Sequence, residues 1–313
     1  MKTRTFLLAA GLAALAPLSA FAKIERVVEK TFAVQPGGLL KVETSGGSIA
    51  VEPGAGDTVK VVARQVIRAD TDAEADALLK DLTLTIEQSG GDVVAKAKYA
   101  STPLGFHFGS WPPVQVSFVV TVPSRFHADL HTSGGGITVG DLAGKVFART
   151  SGGGIRIGKI DGTVDAGTSG GDVRLDSCTG DTRLNSSGGG ISAQRIVGKA
   201  DLRTSGGGIS VKLVENALQA HTSGGSVEAA IAGTLKEDCS LSTSGGSVRV
   251  AIDRTAAFRL DASTSGGGVH ASGITIRIEN GGLGKNRLVG DVNGGGPLLK
   301  LRTSGGGIDV KLR

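Results

Sequence analysis

The sequence is dominated by a short motif, Ser-Gly-Gly, that recurs at a fixed period. From Ser133 to Ser223 successive copies begin 18 residues apart, five times in a row, and the later spacings are 21, 21 and 39 residues. Ten copies begin at Ser45, Ser133, Ser151, Ser169, Ser187, Ser205, Ser223, Ser244, Ser265 and Ser304, and the residue before them is Thr, except in one copy where it is Ser186. An eleventh Ser-Gly-Gly, at Ser89 after Gln88, stands in a different context and is left aside. A constant period of this size is typical of a stack of equivalent structural units.

Each unit carries apolar residues at fixed positions after its serine. These positions lie four, six, nine, thirteen and fifteen residues after the serine, and most residues between them are polar. The first of these columns reads Ile137, Ile155, Val173, Ile191, Ile209, Val227, Val248 and Val269. Alternation with period two predicts two short strands in each unit. A second glycine column, at Gly144, Gly162, Gly180 and Gly198, predicts the other turn, and we expect positive φ angles there because glycine adopts them at little cost.

A single unit of two strands and two turns cannot bury its own apolar face. Parallel stacking places each apolar residue over its equivalent in the next unit, about 4.8 Å away, and builds a continuous core. The sequence therefore predicts an all-β fold, a parallel β-solenoid with coils of 18 to 21 residues. The inward columns do not recur every six residues, which disfavours a left-handed hexapeptide helix, and the handedness of the coil is left open.

The first 22 residues have the pattern of a secretory signal peptide. Lys2 and Arg4 precede an apolar run from Phe6 to Leu18, and Ala22 ends a short segment suited to cleavage. We expect cleavage before Lys23 and export to the periplasm or the cell surface. No later apolar run is long enough to cross a bilayer as a helix. Loss of the two cations lowers the formal net charge from +5 to +3, so we expect no nucleic-acid partner.

The segment after the signal peptide departs from the repeat period. We expect residues 23–127 to form a β-rich cap with one short helix near residues 72–80, because the raw strand edges of a solenoid must be covered. Thr44 to Ile49 reads as a first rung. Residues 128–313 are then the solenoid repeat region, in which the 39-residue spacing is close to two rungs and irregular final rungs end in the strand Ile308 to Leu312.

One loop concentrates the large aromatic side chains. The segment from Tyr99 to Pro113 holds the only Tyr and the only Trp of the chain. Aromatic side chains in a loop are natural anchors for a protein or sugar partner, and the alternative is that they plug the end of the solenoid. The candidate partner-binding residues are Tyr99, Phe106, His107, Phe108 and Trp111.

The two cysteines fall in different inward columns, three rungs apart. In a stack of coils this separation is about 14 Å, which exceeds the reach of a disulfide. We therefore expect Cys178 and Cys239 to be buried free thiols that pack as small apolar residues.

The common signatures of metal and cofactor sites are not met. The glycine turns are followed by an inward Ile or Val, where calcium-binding β-rolls need Asp. His131 and His221 share one outward column but lie about 24 Å apart, too far to share a zinc ion. Gly284-Lys285 is followed by Asn286 and by no predicted helix, unlike a phosphate-binding loop. We expect no metal site and no cofactor.

An ordered set of short motifs resembles a known family. The set comprises Lys-Thr-Phe-x-Val-x-Pro-Gly-Gly at Lys30 to Gly38, Val-Glu-Thr-Ser-Gly-Gly-Ser-Ile at Val42 to Ile49, an Asp-rich helix start, and Thr121 to Pro123 before the serial repeats. Together they resemble the bacterial "putative-adhesin" domain family of unknown function, whose members are exported β-solenoids. The resemblance covers nearly all of the chain after the signal peptide. It implies adhesion at the surface or envelope and transfers no catalytic residue.

These features favour an exported, non-enzymatic binding or structural module, whose partner is a glycan, an envelope component or another protein. The enzymatic alternative is a polysaccharide lyase or hydrolase, because parallel β-helices carry many such enzymes, which use acids that meet on one outward face. The outward acids are Asp161, Asp165, Asp176, Asp181 and Asp201. They are spread over several columns, and the clearest column alternates Asp with Arg, which favours charge pairing over catalysis. A third hypothesis is a self-assembling scaffold that stacks end to end.

Overall fold

The computed structural model describes residues 23–99 and 113–313, and within these ranges the chain forms 26 strands and one helix. The elements before the regular repeats are β1 (Lys23–Ala33), β2 (Leu39–Thr44), β3 (Ile49–Gly54), β4 (Thr58–Arg68), α1 (Asp72–Leu79), β5 (Leu82–Ser89), β6 (Asp92–Tyr99) and β7 (Val114–Pro123).

The strands of the repeats follow in the same numbering. They are β8 (His127–Thr132), β9 (Ile137–Val139), β10 (Leu142–Thr150), β11 (Ile155–Thr168), β12 (Val173–Cys178), β13 (Thr182–Asn185), β14 (Ile191–Ile196), β15 (Ala200–Arg203), β16 (Ile209–Val214), β17 (Leu218–Thr222), β18 (Val227–Ile231), β19 (Cys239–Thr243) and β20 (Val248–Ile252). The remainder are β21 (Phe258–Thr264), β22 (Val269–Ser272), β23 (Ile276–Gly284), β24 (Arg287–Val292), β25 (Leu298–Thr303) and β26 (Ile308–Leu312).

The repeats stack as parallel coils, which confirms the predicted β-solenoid. Residues 18 apart are direct partners, as in the series Val173, Ile191 and Ile209. The strands that follow each Ser-Gly-Gly turn form one parallel ladder, sheet I, which includes β12, β14 and β16. The strands that precede the turn form a second ladder, sheet II, which includes β13, β15 and β17. The long strand β11 passes through both sheets, pairing with β12 by its first half and with β13 by its second.

The core lies between the two sheets and consists of the predicted apolar columns. Ile137, Ile155, Ile191 and Ile209 are each at most 2% exposed, and Val173 is fully buried. Small side chains such as Ala148 and Ala166 fill other inward positions. Because the inward columns stack apolar residues over one another, with Thr182 as a polar exception between Val164 and Ala200, burial continues from one rung to the next.

The order of the rungs at the C-terminal end differs from the order along the chain. Strands β25 and β26 lie between β19–β20 and β21–β22, so the last strand, β26, is internal and pairs with both β20 and β22. The spacing of 39 residues therefore holds one rung and an antiparallel hairpin, β23–β24, and not two rungs. The reason is that β24 pairs with the outer edge of β21, so the returning strand β25 can reach only its inner edge.

The N-terminal end is closed by the remaining elements. The rung of β2 and β3 stacks directly on β8 and β9, although 88 residues separate Ser45 from Ser133. β4 and β1 extend sheet I beyond β7, and β5 extends sheet II beyond β6, all by antiparallel pairing. Helix α1 begins at the N-cap Thr71, whose hydroxyl accepts the Glu74 amide, and it buries Ala75. This is the helix that the sequence predicted near residues 72–80.

The threonine before each motif forms a ladder of hydrogen bonds between rungs. Its hydroxyl donates to a backbone carbonyl of the neighbouring rung at 2.6–2.8 Å in all ten copies, with Ser186 replacing Thr in one of them. These ten side chains are at most 7% exposed. In nine copies the acceptor is the second glycine of a neighbouring motif, as in the bond from Thr204 to Gly189. The hydroxyl is therefore part of the buried corner and is not a surface group.

Close approach of the backbones, rather than positive φ, accounts for most of the glycines. A Cβ on the second glycine of any of the ten motifs would lie 1.9–2.4 Å from the backbone of the adjacent rung. In the other corner column only Gly162 has a positive φ, of 153°, which corrects the expectation for Gly144, Gly180 and Gly198. Those three are required because a Cβ there would lie 2.2–2.3 Å from the preceding rung.

Both cysteines are buried and free, as expected. Cys178 stands in the column of Ile160 and Ile196, and Cys239 accepts a hydrogen bond from the Leu218 amide of the preceding rung. Burial raises the pKa of both thiols, so the reactive thiolate is disfavoured at neutral pH.

The two glycines of one turn provide a matched test of close approach. We expect Gly135→Ala to destabilise the fold by about 1–3 kcal/mol or more, because its Cβ would lie 2.1 Å from the Gly47 carbonyl oxygen. Gly134→Ala should change stability by less than about 1 kcal/mol, since its Cβ would make an ordinary contact at 3.4 Å. Urea unfolding of both variants measures the difference, and equal stabilities would contradict this account.

The hydroxyl ladder is tested at Thr204. Replacing Thr204 by Val keeps the shape but removes the donor to the Gly189 carbonyl, so we expect a loss of about 1–3 kcal/mol in unfolding free energy. Thr204→Ser should retain most of the stability, because Ser186 makes the same bond in the same column. A valine variant as stable as the unmodified protein would show that the bond contributes nothing.

Candidate functional site

The aromatic loop proposed from the sequence is only partly within the described residues. Tyr99 is the last residue of β6, and its hydroxyl donates to the Val114 carbonyl at 2.5 Å and accepts the Val114 amide at 2.9 Å. Burial raises the pKa of Tyr99 to about 12. Tyr99 therefore ties the end of β6 to the start of β7. Phe106, His107, Phe108 and Trp111 lie outside the described residues.

A groove lies on the outer face of sheet II. It has a volume of about 750 Å³ and runs along the solenoid axis, across the strands. One wall is a column with one residue from each of six rungs, Lys145, Thr163, Asp181, Lys199, Ala217 and Asp238. The parallel column is Asp129, Phe147, Asp165, Arg183, Asp201 and Gln219. Each column of six rungs spans about 24 Å at the usual strand spacing. The second column begins one rung before the first, so together the two columns cover seven rungs. We call this surface the sheet II groove.

Both columns point outward because their neighbours in each strand point inward. In β10, for example, Val146 and Ala148 are buried in the core while Phe147 between them is half-buried at the surface. The alternation of a strand thus sets one groove residue per rung in each column. The backbone amides and carbonyls beneath the groove pair with strands on both sides.

One end of the groove carries an aromatic ring among charges. The guanidinium of Arg149 lies 4.1 Å from the centre of the Phe147 ring, within cation–π range. The same guanidinium donates to the Asp165 carboxylate at 2.6 Å and to the Asp165 carbonyl at 2.9 Å. His131 lies beside the Phe147 ring, 5.3 Å between centroids, and contacts Asp129 at 2.7 Å. We call these five residues the Phe147 cluster.

Several other charges of the groove are also held in place by partners. Asp201 contacts Arg203 at 2.8 Å and Arg183 at 3.8 Å. The Lys199 ammonium group lies 2.8 Å from Glu237, and this hydrogen bond raises the pKa of Lys199. The groove therefore offers fixed donors and acceptors of both signs along its length.

The five acids considered for catalysis do not assemble into one constellation. Asp165 and Asp201 are in ion pairs, and Asp181 accepts the Lys199 backbone amide at 3.0 Å. Asp161 accepts the Thr179 hydroxyl at 2.8 Å, and Asp176 is exposed on β12 in sheet I. Three of the five line the groove, and each of these three already serves a structural contact.

Within residues 23–99 and 113–313, no three His, Cys, Asp or Glu side chains converge to hold a metal ion. In the same ranges no helix has the length and apolar character needed to span a membrane. His131 and His221 do lie in the outward column expected for them.

The Phe147 cluster was missed in the sequence. Its signal was present, because Phe147 occupies the outward position that is polar in the following units, Asp165, Arg183 and Asp201. An aromatic residue in an otherwise polar column marks a surface feature rather than the core. The partnership with Arg149 and Asp165 depends on neighbouring rungs and required the structure.

The chain has distant likenesses among solved structures. A crystal structure of a "putative adhesin" from Bacteroides fragilis is 11% identical, covers 92% of this chain and 97% of its own, and has a TM-score of 0.38. A "putative lipid binding protein" from Parabacteroides distasonis is 13% identical with the same coverage and a TM-score of 0.40. These likenesses are too distant to carry an argument. No curated protein matches the sequence.

The family comparison is much more extensive. The model of the Toastrack DUF4097 family matches residues 39–311, from β2 to β26. The match agrees with the family that the ordered sequence motifs resemble. Because it covers most of the sequence, this chain belongs to the Toastrack DUF4097 family.

Proposed function

We propose that this protein is an exported, non-enzymatic binding module, an adhesin-like solenoid whose sheet II groove binds an extended glycan chain. The observation that carries the proposal is the groove itself, a continuous concave surface across seven rungs with the Phe147 cluster at one end. Concave surfaces with a few fixed polar groups and an aromatic side chain are the usual form of a ligand site.

The direction of the groove favours a linear polymer over a compact ligand. It presents one residue per column at each rung, so its contacts repeat about every 4.8 Å along the axis. A chain lying in the groove makes similar contacts at each rung. Each contact is modest, and affinity accumulates along the chain.

The chemistry of the groove favours a glycan over a peptide. A peptide that binds by strand addition needs a free sheet edge, whereas the backbone groups beneath the groove are engaged on both sides. Recognition there must use side chains. A sugar hydroxyl both donates and accepts hydrogen bonds, which suits alternating acids and cations such as Asp181, Arg183 and Lys199. The Phe147 ring supplies an apolar face for a sugar ring.

The contacts of the groove acids favour binding without turnover. A glycosidase needs one carboxyl group that gives up a proton and another that assists at the sugar carbon. Asp165, Asp181 and Asp201 are instead committed to Arg149, to the Lys199 amide and to two arginines, respectively. These contacts therefore favour a binding site over the active site of a polysaccharide-active enzyme.

The aromatic loop stays a second candidate for partner binding. Tyr99 anchors its first end to β7, and Phe106, His107, Phe108 and Trp111 complete the set proposed from the sequence. Nothing in the groove proposal depends on this loop.

The proposal includes removal of residues 1–22 on export to the periplasm or the cell surface. β1 begins at Lys23, so cleavage before Lys23 would leave every described strand intact. We expect the N-terminal sequence of protein recovered from the exported fraction to start at Lys23. Recovery of the chain only from the cytoplasm, with Met1 retained, would contradict export.

The binding proposal is tested at Phe147. We expect Phe147→Ala to lower affinity for a groove-binding polysaccharide by roughly tenfold, because the apolar face for a sugar ring is lost. A screen of soluble polysaccharides followed by calorimetry measures the change, and circular dichroism checks folding. The matched control is Val119→Ala, an exposed apolar residue on sheet I, which should leave binding unchanged.

Two results would contradict the proposal. Equal affinity for Phe147→Ala and the unmodified protein would remove the groove as the site. Release of reducing or unsaturated ends, abolished by Asp165→Asn or Asp181→Asn, would replace binding by catalysis.

A further inference from the structure

The two ends of the solenoid are sealed to different degrees. At the N-terminal end α1 packs on the core through Ala75, Leu78 and Leu79. Lys30 of β1 also donates to the Ile86 carbonyl of β5, which bridges the two sheets. At the C-terminal end sheet I stops at β22, whereas sheet II continues through β24 to β23. The last inward side chains of sheet II therefore have no opposing strand among the described residues.

The exposure of the inward columns rises sharply at this end. Leu260 is fully buried, and Ile278, which lies in the same column two strands further on, is 44% exposed. Leu288 is 8% exposed. Its partner Leu283 lies in β23, the outermost strand of sheet II, and is 70% exposed. On sheet I, Val269 is only half-buried. We call Val269, Ile278 and Leu283 the C-terminal tip.

The rim of the C-terminal tip is positively charged. Arg277 precedes Ile278 in β23, Lys285 lies in the turn after Leu283, and Arg287 begins β24; all three are exposed. Asp291 lies 3.8 Å from Arg259 and is also the cross-strand partner of Arg277, and Asp309 lies 3.9 Å from Arg249. Lys285 and Arg287 are the rim cations that have no ion pair with an acid among the described residues. The C-terminal tip thus combines exposed apolar side chains with more cations than nearby described acids.

The strand edges, the exposed apolar side chains and the positive rim determine which kind of partner can bind here. On sheet I a partner strand finds little free edge, because β22 has four residues and its Val269 amide already donates to the Lys285 carbonyl at 3.0 Å. On sheet II the outermost strand β23 is interrupted by a bulge between Ile278 and Leu283, which disfavours regular pairing with a further strand. A second copy would bring two positive rims together. A bilayer with anionic headgroups accepts both the apolar side chains and the cations. We propose that the C-terminal tip docks on an anionic lipid surface, with Leu283 and Ile278 entering the headgroup region.

Vesicle flotation tests the proposal with the chain from Lys23 to Arg313, which holds every described strand and omits the apolar run of residues 6–18. We expect flotation with vesicles that contain phosphatidylglycerol, weaker flotation with phosphatidylcholine alone, and loss of binding as salt rises. Leu283→Ser should lower the partition coefficient by about tenfold. Lys285→Gln combined with Arg287→Gln should lower it by roughly tenfold or more on anionic vesicles only.

Matched controls distinguish vesicle binding through the C-terminal tip from nonspecific binding. Val27→Ser changes a side chain that is 56% exposed at the opposite end, and Lys212→Gln removes an exposed cation from sheet I. Both should bind as the unmodified chain does. Failure of the unmodified chain to float at low salt overturns the proposal, as does binding that Leu283→Ser leaves unchanged. A dimer in sedimentation analysis that dissociates on Leu283→Ser would assign the tip to a second copy and also overturn it.

Discussion

The structure depends on one contact that is made again at every rung. At the Thr-Ser-Gly-Gly corner a buried hydroxyl donates to a carbonyl of the neighbouring coil, where the two backbones are too close to admit a Cβ. The hydroxyl satisfies an acceptor that water cannot reach, and the glycine allows the approach that makes the bond short. Because the corner fixes where each coil begins, the apolar columns stay in register and the core remains continuous.

Much of the fold could be predicted because the period of the sequence equals the separation between residues that pair in neighbouring coils. Residues 18 apart are partners, so the columns that begin at Ile137 and Leu142 could be assigned as inward from spacing alone. The order of the last rungs was not readable, because the hairpin β23–β24 carries no repeat signal and its pairing with β21 redirects the chain. The role of the corner glycines was misread for a related reason, since the distance between coils is a tertiary quantity.

The functional surfaces were harder to predict than the fold because each is formed by several rungs. Phe147 could be recognised in the sequence as an aromatic residue in a polar column. The contacts of Arg149 with the Phe147 ring and with Asp165 could not be predicted, because they depend on how neighbouring coils pack. The same parallel pairing that buries one face of sheet II lays its other face out as two straight columns. A solenoid of this kind therefore builds a long binding surface from short, locally determined units.

Insertion of β25 and β26 between earlier rungs has a consequence for biosynthesis. As the chain leaves the ribosome, β19–β20 and β21–β22 are complete before the strands that lie between them exist. Folding of this region must wait for residues from Leu298 onward, because β25 and β26 have to be synthesised before the strands on either side of them can be joined. A premature stop there would not simply shorten the rod; it would leave two facing strand edges open within it, where other chains could pair and aggregate.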